Sequence, residues 1–222
     1  MNFVQFLKSL DDFLYEAMSW LIFYPITMAR TVRHPQSMMN YADTELGDRK
    51  EEQYTDTLSP PLFLLLTLIL SHLIELALVG ENPIVKSNRG VSMLIDDDTS
   101  LLLMRLAIFS IFPLIMAAGL LRRQGTRFTR ATLKLPFYSQ CYVAAPFAFL
   151  VGFAATIAQC HWIWSGGAAL AMMAIAFLWY GTQQARWFAS HLHIGLVRGF
   201  GIASIGMIEC VIVCIIVLPL LA

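Results

Sequence analysis

RRQGTRFTRATLKLPFYSQCYVAAPFAFLVGFAATIAQC, residues Arg122–Cys160, decides the fold of this chain. Its opening carries Arg122, Arg123, Arg127, Arg130 and Lys134 and no acid, and from Pro136 to Cys160 no residue is charged. A membrane-spanning helix needs about 20 mainly apolar residues to cross roughly 30 Å of hydrocarbon. A basic cluster immediately before such a run marks the cytoplasmic side, because Lys and Arg accumulate in connections that are not translocated. The stretch also lacks period-two alternation, and lipid leaves no partner for an open strand edge, so it is a helix.

The rest of the chain has the same character. Of its 222 residues 58% are hydrophobic and 14% charged, against about 45–50% and 25% in soluble domains. Three further runs have spanning length: Leu62–Gly80, Leu101–Leu121 and Gly199–Ala222. A fifth, Trp164–Gly181, is slightly short but uncharged. The expectation is an all-α membrane protein of five transmembrane helices. Formal net charge is zero, which gives no global basic field for a nucleic-acid partner.

Charge in the connections sets the orientation. Lys8, Arg30, Arg33, Arg49 and Lys50 precede the first span, Arg122–Lys134 precede the third, and Arg186 and Arg198 lie between the fourth and fifth. On the opposite side stand only Lys86 and Arg89, beside Glu81 and Asp96, Asp97 and Asp98, and then His161. The N-terminus is therefore expected in the cytoplasm and the C-terminus in the periplasm, in a bacterial-type inner membrane.

Residues 1–61 read as a cytoplasmic region and 62–222 as the five-helix bundle. The start, MNFVQFLKSLDDFLYEAM, is broken by Asp11, Asp12 and Glu16 and does not have the form of a cleavable signal. An interfacial helix is expected over about residues 10–30, where Trp20, Phe23 and Tyr24 suit headgroups; a sixth span is the rival. An acidic segment follows, either loop or short helices, and Ser59-Pro60-Pro61 opens the first span.

Ionisable residues inside spans are costly and so are the candidates for function. They are His72 and Glu75 in the first span, Arg105 in the second and Glu209 in the last. At about 1.5 Å per residue, Glu75 and Arg105 lie roughly 8 and 6 Å below the outer ends of their helices, so they can pair. That pair either fixes helix packing or lines a polar cavity. His72 shares a face with Glu75, three residues away. Glu209 falls near mid-bilayer with no basic residue at its own depth, as a protonated, hydrogen-bonded carboxyl or as a proton or cation site.

Arg122, Arg123, Arg127, Arg130 and Lys134 suit anionic headgroups. Gly199, Ala203 and Gly206 permit close helix approach. Pro113 and Pro146 are candidate helix breaks. Cys141, Cys160, Cys210 and Cys214 show no zinc or CxxC spacing and read as buried apolar residues. No phosphate loop, GxSxG, HExxH, metal or cofactor pattern is present.

Within the deciding stretch, Tyr138, Tyr142 and Pro146, at the start of the third span of a five-span plan with a short connection after that span, resemble the YIP family of small polytopic membrane proteins. The resemblance covers about residues 60–222; Cys141 stands where that family usually has glycine. It implies a non-enzymatic role in membrane organisation or partner recruitment and carries over no catalytic residue. Three functions follow from the sequence. The first is an adaptor whose partners are the lipid bilayer and a membrane or cytoplasmic protein. The second is a permease or channel subunit lined by His72, Glu75, Arg105 and Glu209, which in so small a bundle requires a homo-oligomer. The third is an intramembrane enzyme acting on lipid, for which the chain offers only His72 and Glu75.

Overall fold

The computed structural model describes residues 3–49, 52–80, 98–160 and 162–220. Among these the elements are all helices: α1 Phe3–Arg33, α2 Pro35–Glu45, α3 Pro60–Val79, α4 Asp98–Gln124, α5 Arg130–Gln159, α6 Ser165–His191 and α7 Leu196–Leu220. The last five are long and apolar enough to cross a membrane. Lys50, Glu81, Lys86, Arg89, Asp96, Asp97, His161 and Ala222 lie outside the described residues.

Helix ends differ from the apolar runs for local reasons. The third span opens at Arg130, two turns before Pro136, because Thr129 and Thr132 form a reciprocal cap. The Thr129 hydroxyl accepts from Thr132 N at 3.1 Å, and Thr132 Oγ1 accepts from Thr129 N at 3.0 Å. Satisfying two of the first turn's orphan N–H groups makes an early start stable. α6 continues ten residues past Gly181 because Gln183, Gln184, Trp187 and Phe188 turn inward and are buried. Pro113 and Pro146 do not break their helices: each sits inside a continuous one.

α5 is the central helix and packs against α1, α2, α3, α4 and α6, while α7 lies against α4 and α6. It serves two cores. Val143 and Phe147 join Phe112, Met116, Tyr180 and Phe188 on one side. Cys141, Tyr142, Ala145 and Ala148 join Met38, Ala42, Phe63 and Leu68 on the other. Small residues make this possible, because without a water-driven hydrophobic effect between spans, close packing supplies the attraction. At Gly152 a Cβ would overlap the Ser71 hydroxyl of α3. In α7, Ala203 is buried, and a Cβ on Gly206 would stand 2.9 Å from Met116 Sδ.

The acidic segment is not a free tail. α2 buries Met38, Met39 and Ala42 completely or nearly so and packs on α5. α1 runs antiparallel to the beginning of α3. Thr27 Oγ1 accepts from Leu58 N at 3.1 Å, whereas Tyr24, one turn earlier, meets Phe63 and reaches Thr67 Oγ1 at 3.3 Å. The outward face of α1 is also apolar: Phe13, Leu14, Met18, Leu21 and Ile22 are each more than half exposed.

Candidate functional site

Three of the four expected ionisable residues meet at the end of the bundle far from Arg122–Lys134. α3 turns His72 and Glu75 inward on one face, with side-chain exposure of only 1% for Glu75. Arg105, near the start of α4, forms an ion pair with Glu75 Oε2. Gln159, the last residue of α5, donates from Nε2 to Glu75 Oε1 at 2.9 Å and to Ala155 O at 3.2 Å. Three helices thus converge on one carboxylate. Burying both members of an ion pair is tolerated only when their remaining hydrogen-bonding capacity is largely filled, and Gln159 contributes to that.

Two polar atoms of this cluster are left over. His72 is 6% exposed, and its Nδ1, like Gln159 Oε1, is buried without a hydrogen-bond partner among the described residues. Such groups cost free energy, which makes them candidates for occupation by water, a proton or a ligand.

Glu209 does not belong to this cluster, and the expectation that it lacks a basic partner is corrected. Its Oε1 lies 3.7 Å from Arg122 Nη1, with side-chain exposures of 37% and 56%. Arg122 is 17 residues along α4 from Arg105, about 25 Å at helical rise. The four intramembrane candidates therefore form two separate sites rather than one polar route.

The residues expected to contact headgroups, Arg122, Arg123, Arg127, Arg130 and Lys134, lie at the connection between α4 and α5 and are all exposed, Arg122 being also the partner of Glu209. Arg123 donates to Gly119 O at 3.0 Å and lies 5.9 Å from the Phe188 ring centroid. Lys134 Nζ stands 5.3 Å from the ring of Tyr138. Arg123 and Lys134 thus lie over aromatic rings while staying exposed, so their charged ends remain within reach of headgroups.

Sequence reasoning misses the uncharged polar contacts. Gln140 of α5 and Gln184 of α6, both fully buried, exchange hydrogen bonds at 2.9 and 2.5 Å. Gln36 donates to Gln183 O at 2.9 Å. At the basic end a polar clasp joins the N-terminal segment to the bundle. Asp43 accepts from Ser139 Oγ at 2.5 Å and lies 3.8 Å from His191 Nε2. Within the segment itself, Asp56 accepts from Tyr41 at 2.6 Å and from Arg30 at 2.6 Å. The Tyr41 hydroxyl, and then the Arg30 guanidinium, hold the Asp56 carboxyl below its ordinary value. Burial first, then the hydrogen bond to Asp56, pushes the Tyr41 hydroxyl well above its own, so that it remains a donor. In sequence these residues look like an ordinary solvated charged stretch; the signal available was the apolar Met38, Met39 and Ala42 stripe.

Comparison of the chain with protein-family models, with curated proteins and with solved structures finds no match.

Proposed function

We propose that this chain is a non-enzymatic membrane adaptor that presents a folded cap to a protein partner. The cap is α2 and the segment up to Ser59, tied to the last turns of α1 by Arg30–Asp56 and Thr27–Leu58, and it occupies the end of the bundle that bears Arg122–Lys134. By the charge rule that end faces the cytoplasm of a bacterial-type inner membrane, with the C-terminus periplasmic. The observation that carries the reading is the clasp: Asp43–Ser139 and Tyr142–Leu58 fasten the cap to α5, and Asp56–Arg30 ties it to the end of α1. Asp48, Arg49 and Glu52 project outward from it. A preorganised surface loses less conformational entropy on binding than a free tail does. The likeness of Tyr138, Tyr142 and Pro146 to the YIP family supports the same role. Photocrosslinkers at positions 48, 52 and 55 are expected to give a discrete protein adduct in cells that Asp48→Lys with Glu52→Lys removes. No adduct at any of the three positions overturns the reading.

A permease or channel subunit is the second reading, and the buried, unpartnered His72 Nδ1 beside the Glu75–Arg105 pair favours it. It expects proton or cation flux in proteoliposomes that Glu75→Gln abolishes. Proteoliposomes without flux eliminate it.

A further inference from the structure

We infer that the chain holds one anionic phospholipid in a lateral groove between α1, α5 and α6. The groove encloses about 450 Å³ and is walled by Tyr24, Met28 and Val32 of α1, Leu70 of α3, Pro146 of α5 and Trp179 of α6. Its walls are almost wholly apolar, and its length along α1, from Tyr24 to Val32, is about 12 Å. That is the form of a slot for an acyl chain, not for a polar solute.

The charge at one end identifies the headgroup. Arg186 lies seven residues beyond Trp179 on α6, which returns it to the same face two turns nearer the basic end. Arg33 follows Val32 at the end of α1. The hydrogen bond from Gln36 to Gln183 brings these two chain segments together, each glutamine lying three residues from its arginine. Both arginines are exposed, and neither forms an ion pair among the described residues. An arginine at headgroup level donates bidentately to phosphate oxygens, and it favours a net anionic lipid because no ammonium on the same headgroup opposes it. The chain then lies down the groove against Trp179. The basic connection Arg122–Lys134 belongs to α4 and α5 and is a different surface.

The test uses the full-length protein in phosphatidylcholine liposomes containing either phosphatidylglycerol or additional phosphatidylcholine with bromine on the acyl chains. Trp179 emission is taken as the difference between the protein and Trp179→Phe. Brominated phosphatidylglycerol is expected to quench that emission at a lower mole fraction than brominated phosphatidylcholine, by about fivefold for each contributing arginine. The preference is expected to vanish in Arg33→Gln with Arg186→Gln and to survive Lys8→Gln with Arg49→Gln. Equal quenching by both lipids overturns the inference. So does a preference that survives the first pair of substitutions or is lost in the second. No quenching of Trp179, as a partner helix or a second copy seated in the groove would give, also overturns it. Native mass spectrometry supplies a readout independent of Trp179→Phe: the wild type is expected to retain one more phosphatidylglycerol than Arg33→Gln with Arg186→Gln. Identical retention counts against the site.

Discussion

Tyr142, buried in the middle of α5, donates its hydroxyl proton to the carbonyl oxygen of Leu58 at 2.9 Å, and so fastens the N-terminal cap to the helix that organises the bundle. The same hydroxyl stands 3.4 Å from Thr57 Oγ1, while the Leu58 N–H is taken by Thr27. Tyr142→Phe keeps the ring against Phe63 but leaves the buried Leu58 carbonyl unsatisfied. The expected loss is about 1–3 kcal/mol, read as a lower midpoint of thermal unfolding in detergent. An unchanged midpoint would mean that the clasp contributes nothing to stability.

The Glu75–Arg105 pair should behave asymmetrically. Replacing Glu75 by alanine strands the mostly buried guanidinium of Arg105 and is expected to cost about 3–5 kcal/mol. Removing both charges, as Glu75→Gln with Arg105→Met, should cost less than the sum of the two single changes, because each residue's penalty derives from the other. Unfolding of the four proteins in one detergent completes the cycle. Additive losses would show that the two side chains do not interact.

Much of this arrangement was legible. The spans could be read because an uncharged apolar run of about twenty residues is costly to leave in water and matches the hydrocarbon thickness. The level shared by Glu75 and Arg105 followed from helical rise alone. What escaped was of two kinds. Gln140, Gln159 and Gln184 carry no charge, so the cost of burying them leaves little trace in composition, and their partners lie 44 to 84 residues away. Glu209 escaped for a geometric reason: counting depth along separate axes ignores helix crossing and the reach of a long side chain such as Arg122, whose charge can sit well away from its own Cα.

The cap should loosen in acid, with the sign set by Asp56. Its carboxyl titrates below the ordinary value of 3.8 because Tyr41 and Arg30 favour the charged form. A group whose pKa is depressed by folding stabilises the folded state above its unfolded pKa and stops doing so as pH falls through the folded one. The contribution is therefore constant at neutral pH and disappears only below about 4. With both partners about half exposed, the effect is small. Limited proteolysis between residues 46 and 56 is expected to accelerate below that pH in the wild type, and to be already faster and less pH-dependent in Asp56→Asn.

The position of α1 in the bilayer follows from its two apolar faces. An amphipathic helix lying on the membrane surface turns a polar face to water, whereas a helix apolar all round is buried in protein or lipid. Trp20, Phe23, Tyr24 and Met28 of α1 pack on the core shared with α3 and α5, and Met18, Leu21 and Ile22 on the opposite face are 63–77% exposed. Glu16 is the one charge between Phe13 and Ala29. From Phe13 to Arg33 the helix is about 30 Å long, comparable to the hydrocarbon thickness. These residues are expected to face lipid. In a protein with its four cysteines replaced by alanine, Met18→Cys and Leu21→Cys should resist a membrane-impermeant maleimide in both right-side-out and inverted vesicles, and react only after detergent is added. Ser37→Cys, exposed on α2, should react in inverted vesicles. Labelling of position 21 as fast as position 37 would place α1 on the membrane surface instead.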